Sequence, residues 1–467
     1  MTREDARDRS VHYFASGDFE ADLARLVAIP TESQVAEGYP HTCRYLEDEI
    51  IPMIDAMGFA ARVFENPVEG VGPVLLATRD EGADLTVLGY GHGDVIRGQA
   101  DQWTRGQGPW KLARDGERLY GRGTADNKAQ HLINLSAMRA VLQTRGTLGF
   151  NAKFIIEMAE ENGSQGLREL MDANRDAFAA DVLIASDGPR VSPGRPTVSL
   201  GARGALNFDL ICRLRDGGHH SGNWGGAIAD PAMILSHALA SICGPTGQIL
   251  IKEWLPHPMS NAVREALADI ELNPGEDGPA IDPGWGEPGM TTAERVYGWN
   301  SFAVLAMVSG NPEAPVNAIQ PEARAHCQLR YIAGTDTDDI LPALRRHLDA
   351  QGLQTVQVVP PAEGNAAGFD ASRTEPDHPW ALFVRSSISK TTGEAPAVIP
   401  QMGGSICNDL FTDLLGIPAI WVPHSYTGCS QHAPDEHVLL PVCENALDIM
   451  AGLYSDLGDA SLRPAPE

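Results

Sequence analysis

Residues Phe154–Gly166 read FIIEMAEENGSQG. The apolar run Phe154, Ile155 and Ile156 suits a buried strand, and it leads into Glu157, Glu160 and Glu161 before the loop formers Asn162, Gly163 and Ser164. Two adjacent carboxylates at the end of a buried strand are costly out of water unless a cation or a shared proton compensates them. The plain alternative is a solvated strand end. Whether other strands of the chain end in the same way decides between the two.

Four other places do. LTVLGYGHGDV puts His92 and Asp94 just past an apolar run, and residues two apart on extended chain face the same way. LYGRGTADNKAQ sets Asp126 between a glycine-rich turn and a helical pattern, VLIASDGP ends a strand at Asp187, and GCSQHAPDEH carries His432 in a loop. Singly, such a histidine reads as a satisfied structural side chain and such an aspartate as a turn or cap. Together they supply the imidazole and carboxylate donors that zinc takes in catalytic sites. In an α/β sheet, ligands gather beyond the strand ends.

The surrounding pattern fits that sheet. Residues 1–198 alternate strands (VLLATR, LTVLGYG, NAKFIIEM, ADVLIASDG) with helical stretches such as NKAQHLINLSAMRAVLQTRG. From RPTVSLGARGALNFDLICRLRD the strands lengthen and alternate, and DPAMILSHALASICG and DILPALRRHLDAQG read as helices on one side of a second sheet. After the polar linker PPAEGNAAGFDASRTEPDHP, helix–strand alternation returns. The expected organisation is an α/β domain made of residues 1–198 and 363–467, with an α+β domain, 199–362, inserted between them. The proline- and glycine-rich stretch 256–295 has no clear pattern.

Composition limits the function. A chain of 467 residues is too long for one ordinary core. With 62 acidic against 35 basic residues and a formal charge of -27, nucleic acid and anionic membranes are excluded as expected partners. The start MTREDARDRSVHYF is too polar for a signal peptide, and no apolar run reaches the ~18 residues of a membrane span. Seven scattered cysteines without a CxxC pair point to a reduced, cytoplasmic setting.

In order, the motifs GHGDV, GERLYGRGTADNK, EMAEENGS, SDGP, HHSG and QHAPDEH resemble the dizinc metallopeptidase family of aminoacylase, acetylornithine deacetylase, carnosinase and glutamate carboxypeptidase. GRPTVSLGARG followed by HHSGNWGG looks most like the carnosinase-type dipeptidases. The resemblance implies an α/β/α catalytic domain with an inserted lid and dimerisation domain. It implies two divalent ions per subunit, zinc first, with manganese or cobalt as the other candidates. His92 and Asp187 would hold one ion, Glu161 and His432 the other, and Asp126 both. Asp94 would orient His92, Glu160 would be the general base, and the Asp126–Asn127 peptide would be cis. In the lid, His220 would stabilise the oxyanion in the partner's site, with His219 as a neighbour without a role. Asn317 and Arg330 would hold substrate, as would the backbone of Gly403, Gly404 and Ser405. Three departures from the family pattern stand out: Gln401 and Met402 precede the glycines where relatives carry Arg, Cys407 follows where relatives carry Pro, and HAPDE replaces HAPNE.

The expected activity is hydrolysis of an amide or peptide bond in a dipeptide or N-acyl amino acid by a metal-activated water, in a homodimer formed through the lid. The alternatives are hydrolysis of a carbamoyl or other acyl conjugate, and a non-catalytic metal-binding protein. The presence of Glu160 disfavours the last, and the absence of a G-x-S-x-G elbow disfavours a serine hydrolase.

Overall fold

A computed structural model describes residues 2–272, 279–361 and 369–465. The chain forms two compact units: Met1–Ala202 with Asn261–Ala280 and Arg373–Glu467, and Arg203–Ser260 with Ile281–Ser372. The 362/363 boundary read from sequence, and much of the linker around it, lie outside the described residues.

The first unit is built on an eight-stranded sheet. Its strands in chain order are β1 (Ala60–Phe64), β2 (Val74–Arg79), β3 (Thr86–His92), β4 (Asn151–Glu157), β5 (Val182–Ala185), β6 (Thr197–Ser199), β7 (Ala397–Ile399) and β8 (Ala419–Trp421). They lie in the order β1-β2-β4-β3-β5-β8-β6-β7. The centre, β4-β3-β5-β8, is parallel. Near-continuous apolar runs such as Phe154–Ile156 and Val182–Ala185 are what a parallel sheet requires, and these residues are buried. The helices Arg3–Ala15, Lys128–Arg145, Pro379–Thr392 and Leu440–Leu457 share one core with the strands. Lys128–Arg145 comes very close to β3: a Cβ on Gly91 would stand 2.4 Å from the Cβ of His131. Glycine there lets helix and strand meet directly beside His92.

The second unit is a four-stranded antiparallel sheet. Strand Glu322–Tyr331 lies between Ser301–Val308 and Gly204–Arg213, and Val356–Val359 closes the far side. Alternation assigns the faces. Phe208, Leu210, Cys212, Ala323, Ala325, Cys327 and Leu329 pack with helices Pro231–Ile242 and Ile340–Ala350, whereas Asp209, Arg324 and His326 join on the opposite face. Helices on one side of an alternating sheet is the arrangement that the sequence pattern predicts.

The stretch without a pattern splits between the units. Asn261–Leu267 is a helix in the first unit that packs on β7, and Thr292–Tyr297 is a helix in the second, opened by a capping box at Thr291. Residues 273–278 within it lie outside the described residues. All seven cysteines are free, and no described helix is long and apolar enough to cross a membrane.

Candidate active site

Parallel strands deliver their C-terminal ends to one edge of the sheet. His92 is the last residue of β3, and its cross-strand neighbour is Glu157, the last residue of β4. The chain beyond β4 carries Glu160 and Glu161, and Asp187 stands two residues past β5. Asp126 precedes helix Lys128–Arg145 across a cis Asp126–Asn127 peptide. His432 arrives on a loop whose turn is drawn tight by positive φ at Ser430, His432 and Asp435.

These side chains meet in two groups joined by Asp126. The Nε2 atom of His92 is 2.9 Å from Asp126 Oδ1 and 3.6 Å from Asp187 Oδ2. The Nε2 atom of His432 is 3.1 Å from Asp126 Oδ2 and 3.0 Å from Glu161 Oε2. Within each trio, one donor atom per residue lies within 4.8 Å of the others. Asp126 thus turns one oxygen to each trio.

The electrostatics favour cations here. Burial pushes the Glu161 carboxyl up to about 7, with Asp126 adding to it and His432 opposing it. Burial pushes Glu160 well above the carboxylate range too, and Glu161, Asp187 and Asp126 add to that against the pull of His92. Burial opposes a charge on His92, but the carboxylates of Asp126, Asp187 and Asp94 overcome it and hold its pKa well above the usual histidine value. Three carboxylates and two imidazoles crowded into a largely buried space are a donor set that fits two divalent ions bound by nitrogen and oxygen.

Two buried carboxylates hold the groups in place. Asp94 Oδ1 and Oδ2 accept the backbone N–H groups of Glu160 and Glu161, each at 3.1 Å. The ring of His92 is 3.1 Å from the Asp94 carbonyl oxygen and 3.5 Å from Oδ1, both on the Nδ1 side. Glu436 Oε1 accepts from Ala125 N (2.8 Å) and Asp126 N (3.1 Å), and Oε2 from Gly123 N (3.1 Å) and Arg122 Nη1 (2.7 Å). Glu436 therefore ties the His432 loop to the Asp126 turn.

Glu160 and Glu161 are not on extended chain: Glu160–Asn162 is a single 3₁₀ turn. The two N–H groups bound to Asp94 draw the backbone into that turn.

Sequence reasoning missed Glu436, Gln431 and a buried polar chain. Gln431 Nε2 donates to Asp126 Oδ2 at 2.6 Å. Tyr45, His131, Asn127, Ser186, His424, Gln130 and Ala125 are linked in that order by hydrogen bonds of 2.7–3.2 Å. The chain passes both peptide neighbours of Asp126 and the residue before Asp187. Only the position of Glu436 inside the HAPDEH motif could have signalled any of this.

The remaining expected residues lie elsewhere. In the second unit, His219–His220 pairs with Ala318–Ile319, and Ser221 N donates to Asn317 O at 2.9 Å, so His220 and Asn317 stand together. His220 is exposed, and its Nδ1 accepts from Gly222 N. Arg330 is on strand Glu322–Tyr331, opposite Ser301 and Ala205, and donates to Gln328 Oε1 at 3.0 Å. Gly403, Gly404 and Ser405 follow β7 in the first unit. Gln401 before them is fully buried, and its Nε2 donates to Ala202 O.

A His/carboxylate cluster at the C-terminal ends of parallel strands is a donor set for divalent metal ions. The model of peptidase family M20/M25/M40 matches residues 88–456, and the chain belongs to that family. Among curated relatives, the cysteinylglycine-S-conjugate dipeptidase of Corynebacterium striatum is 28% identical over 69% of this chain and 69% of its own length. The human beta-Ala-His dipeptidase is 36% identical over 39% of this chain and 36% of its own. The solved M20 family metallo-carboxypeptidase Sso-CP2 from Sulfolobus solfataricus matches the fold with a TM-score of 0.78 at 22% identity, over 94% of this chain and 98% of that one. The dipeptidase Dug1p from Saccharomyces cerevisiae does so with 0.76 at 20%, over 97% and 98%.

Proposed function

We propose that the chain is a dinuclear metal-dependent dipeptidase or N-acyl-amino-acid deacylase. The observation that carries this reading is the sharing of Asp126 between two trios of donors, with the half-buried Glu160 next in the chain to Glu161. His92, Asp187 and Asp126 would hold one ion, and Glu161, His432 and Asp126 the other, with zinc the first candidate and manganese or cobalt next. Bound there, the ions supply Lewis acidity that polarises the scissile carbonyl and lets a water lose its proton near neutral pH. Glu160 takes that proton and passes it to the departing nitrogen. Asp94 keeps His92 and the Glu160–Glu161 turn aligned, and Glu436 does the same for Asp126.

His220 is assigned to the developing oxyanion, Asn317 and Arg330 to the substrate's oxyanion or carboxylate, and the Gly403–Ser405 backbone to a substrate carboxylate. The reading includes a homodimer through the second unit. Its support is the edge strand Ser301–Val308, which exposes Val304, Leu305, Met307 and Val308. An apolar edge of that length invites pairing with a second copy, and a two-fold axis would make the contact self-complementary. Free cysteines throughout support a reducing, cytoplasmic location.

A second reading, hydrolysis of carbamoyl or other acyl conjugates, draws on Gln401. The family resemblance implies an arginine just before the glycines, whereas this chain has Gln401 and Met402 there and buries the Gln401 amide. The test of both is one panel: protein supplied with Zn²⁺, Mn²⁺ or Co²⁺, assayed on dipeptides, N-acyl amino acids and N-carbamoyl amino acids. Turnover of the first two groups above the third supports the main reading, and turnover confined to the third selects the other.

A further inference from the structure

Glu157 belongs to no role assigned above, although it lies four residues before Glu161. It closes β4 and is 1% exposed. Its Oε1 gathers three donors: the Tyr90 hydroxyl at 2.5 Å, the Ser164 hydroxyl at 2.8 Å and the Cys407 thiol at 3.9 Å. Its Oε2 is buried without a hydrogen-bond partner.

Each donor belongs to a different segment of the site. Tyr90 is two residues before His92 on β3, and its ring is wedged edge-on against Phe411 and Trp421. Ser164 ends the loop that carries Glu160 and Glu161, and it sits at positive φ with its N–H on Ala159 O at 3.0 Å. Cys407 stands two residues past the Gly403–Ser405 loop, is buried, and turns its thiol to the same oxygen. The Glu157–Ser164 bond therefore closes residues 158–163 into a loop whose two ends are fixed to one carboxyl group.

We propose that Glu157 is a positioning residue, which clamps the Glu160–Glu161 loop to the His92 strand and to the segment after Gly403–Ser405 through one shared acceptor oxygen. The inference rests on the reading of Glu160 as base and Glu161 as ligand. The clamp needs an acceptor oxygen at this point, because all three donors converge on one. Burial also drives the carboxyl up to about 7, which agrees with a group that acts as an acceptor without needing full ionisation. Glutamine keeps that oxygen and leucine removes it.

The test compares Glu157→Gln, Glu157→Leu and Ser164→Ala, with wild-type protein and Glu160→Gln as references. The readouts are kcat, KM, thermal midpoint and the rate of metal loss from zinc-loaded protein to EDTA. Glu157→Gln is expected within about threefold of wild type in every readout. Glu157→Leu is expected to lose ~10–100-fold in kcat with KM changed far less, and to release metal about tenfold faster, the range seen when a partner of a metal ligand is lost. Ser164→Ala should move in the same direction by a smaller factor while its thermal midpoint stays near wild type, and it decides the matter if Glu157→Leu does not fold. Wild-type kcat and metal-loss rate in Ser164→Ala or in a folded Glu157→Leu would overturn the proposal. So would a Glu157→Gln protein as damaged as Glu157→Leu. The two readings fail separately: a fully active Glu160→Gln would refute the base assignment, whereas the EDTA rates judge Glu157 without reference to turnover.

Discussion

The carboxylate of Asp94 accepts the backbone N–H of Glu160 at 3.1 Å, and its second oxygen accepts that of Glu161 at the same distance. The residue beside the ring of His92 therefore also shapes the turn that carries Glu160, the proposed base, and Glu161, a donor of the other trio. Asparagine at this position would set an amide N–H₂ against one of two N–H donors. Asp94→Asn should lower kcat by ~10–100-fold, the usual effect of losing a partner of a metal ligand. Steady-state kinetics with metal analysis would check this, and an unimpaired Asp94→Asn would contradict it.

Glu160 and Glu161 should part company on substitution. Glu160→Gln is expected to fold and keep its metal yet lose ~10²–10⁴ in turnover, as loss of a general base does. Glu161→Gln is expected to lose metal first. Parallel activity and elemental measurements on the two variants decide, and exchanged phenotypes would mean the assignments are reversed.

How much of this could be read from sequence depends on what carries the information. His92, Glu161 and Asp187 were legible because apolar runs mark strands and the donors follow where those runs stop. Asp126 and His432 became legible through ordered motifs. The 3₁₀ turn at Glu160–Asn162 was not, because Asp94, 66 residues away, bends it through hydrogen bonds. Glu436 and the chain from Tyr45 to Ala125 were hidden for the same reason: their partners lie far apart in sequence, as with Glu436 and Ala125 at 311 residues. Helix Asn261–Leu267 was masked by its proline- and glycine-rich surroundings.

Arg122 and Glu436 form a salt bridge of 2.7 Å with both side chains 1% exposed. Removing one partner of a buried pair costs about 3–5 kcal/mol. Arg122→Met should shift the urea midpoint down accordingly, since it removes the cation that offsets the burial of the Glu436 carboxyl. A midpoint unchanged from wild type would show that the pair does not bear on stability.

His220 is exposed on the second unit. If it completes the partner's site, mixing His220→Ala with Glu160→Gln protein under subunit exchange should restore activity that neither parent has. One oxyanion donor is commonly worth ~3–4 kcal/mol, so His220→Ala alone should be strongly impaired and His219→Ala much less. Heterodimers that form without recovery would place His220 outside the partner's site.

Asp126 is proposed to join two metal sites. Elemental analysis of metal-supplemented wild-type and Asp126→Ala protein, read alongside activity, tests it most directly. The expected result is two divalent ions per wild-type chain, with most of the metal and all measurable turnover lost in Asp126→Ala. A fully active wild-type protein that holds one ion or none per chain would contradict it.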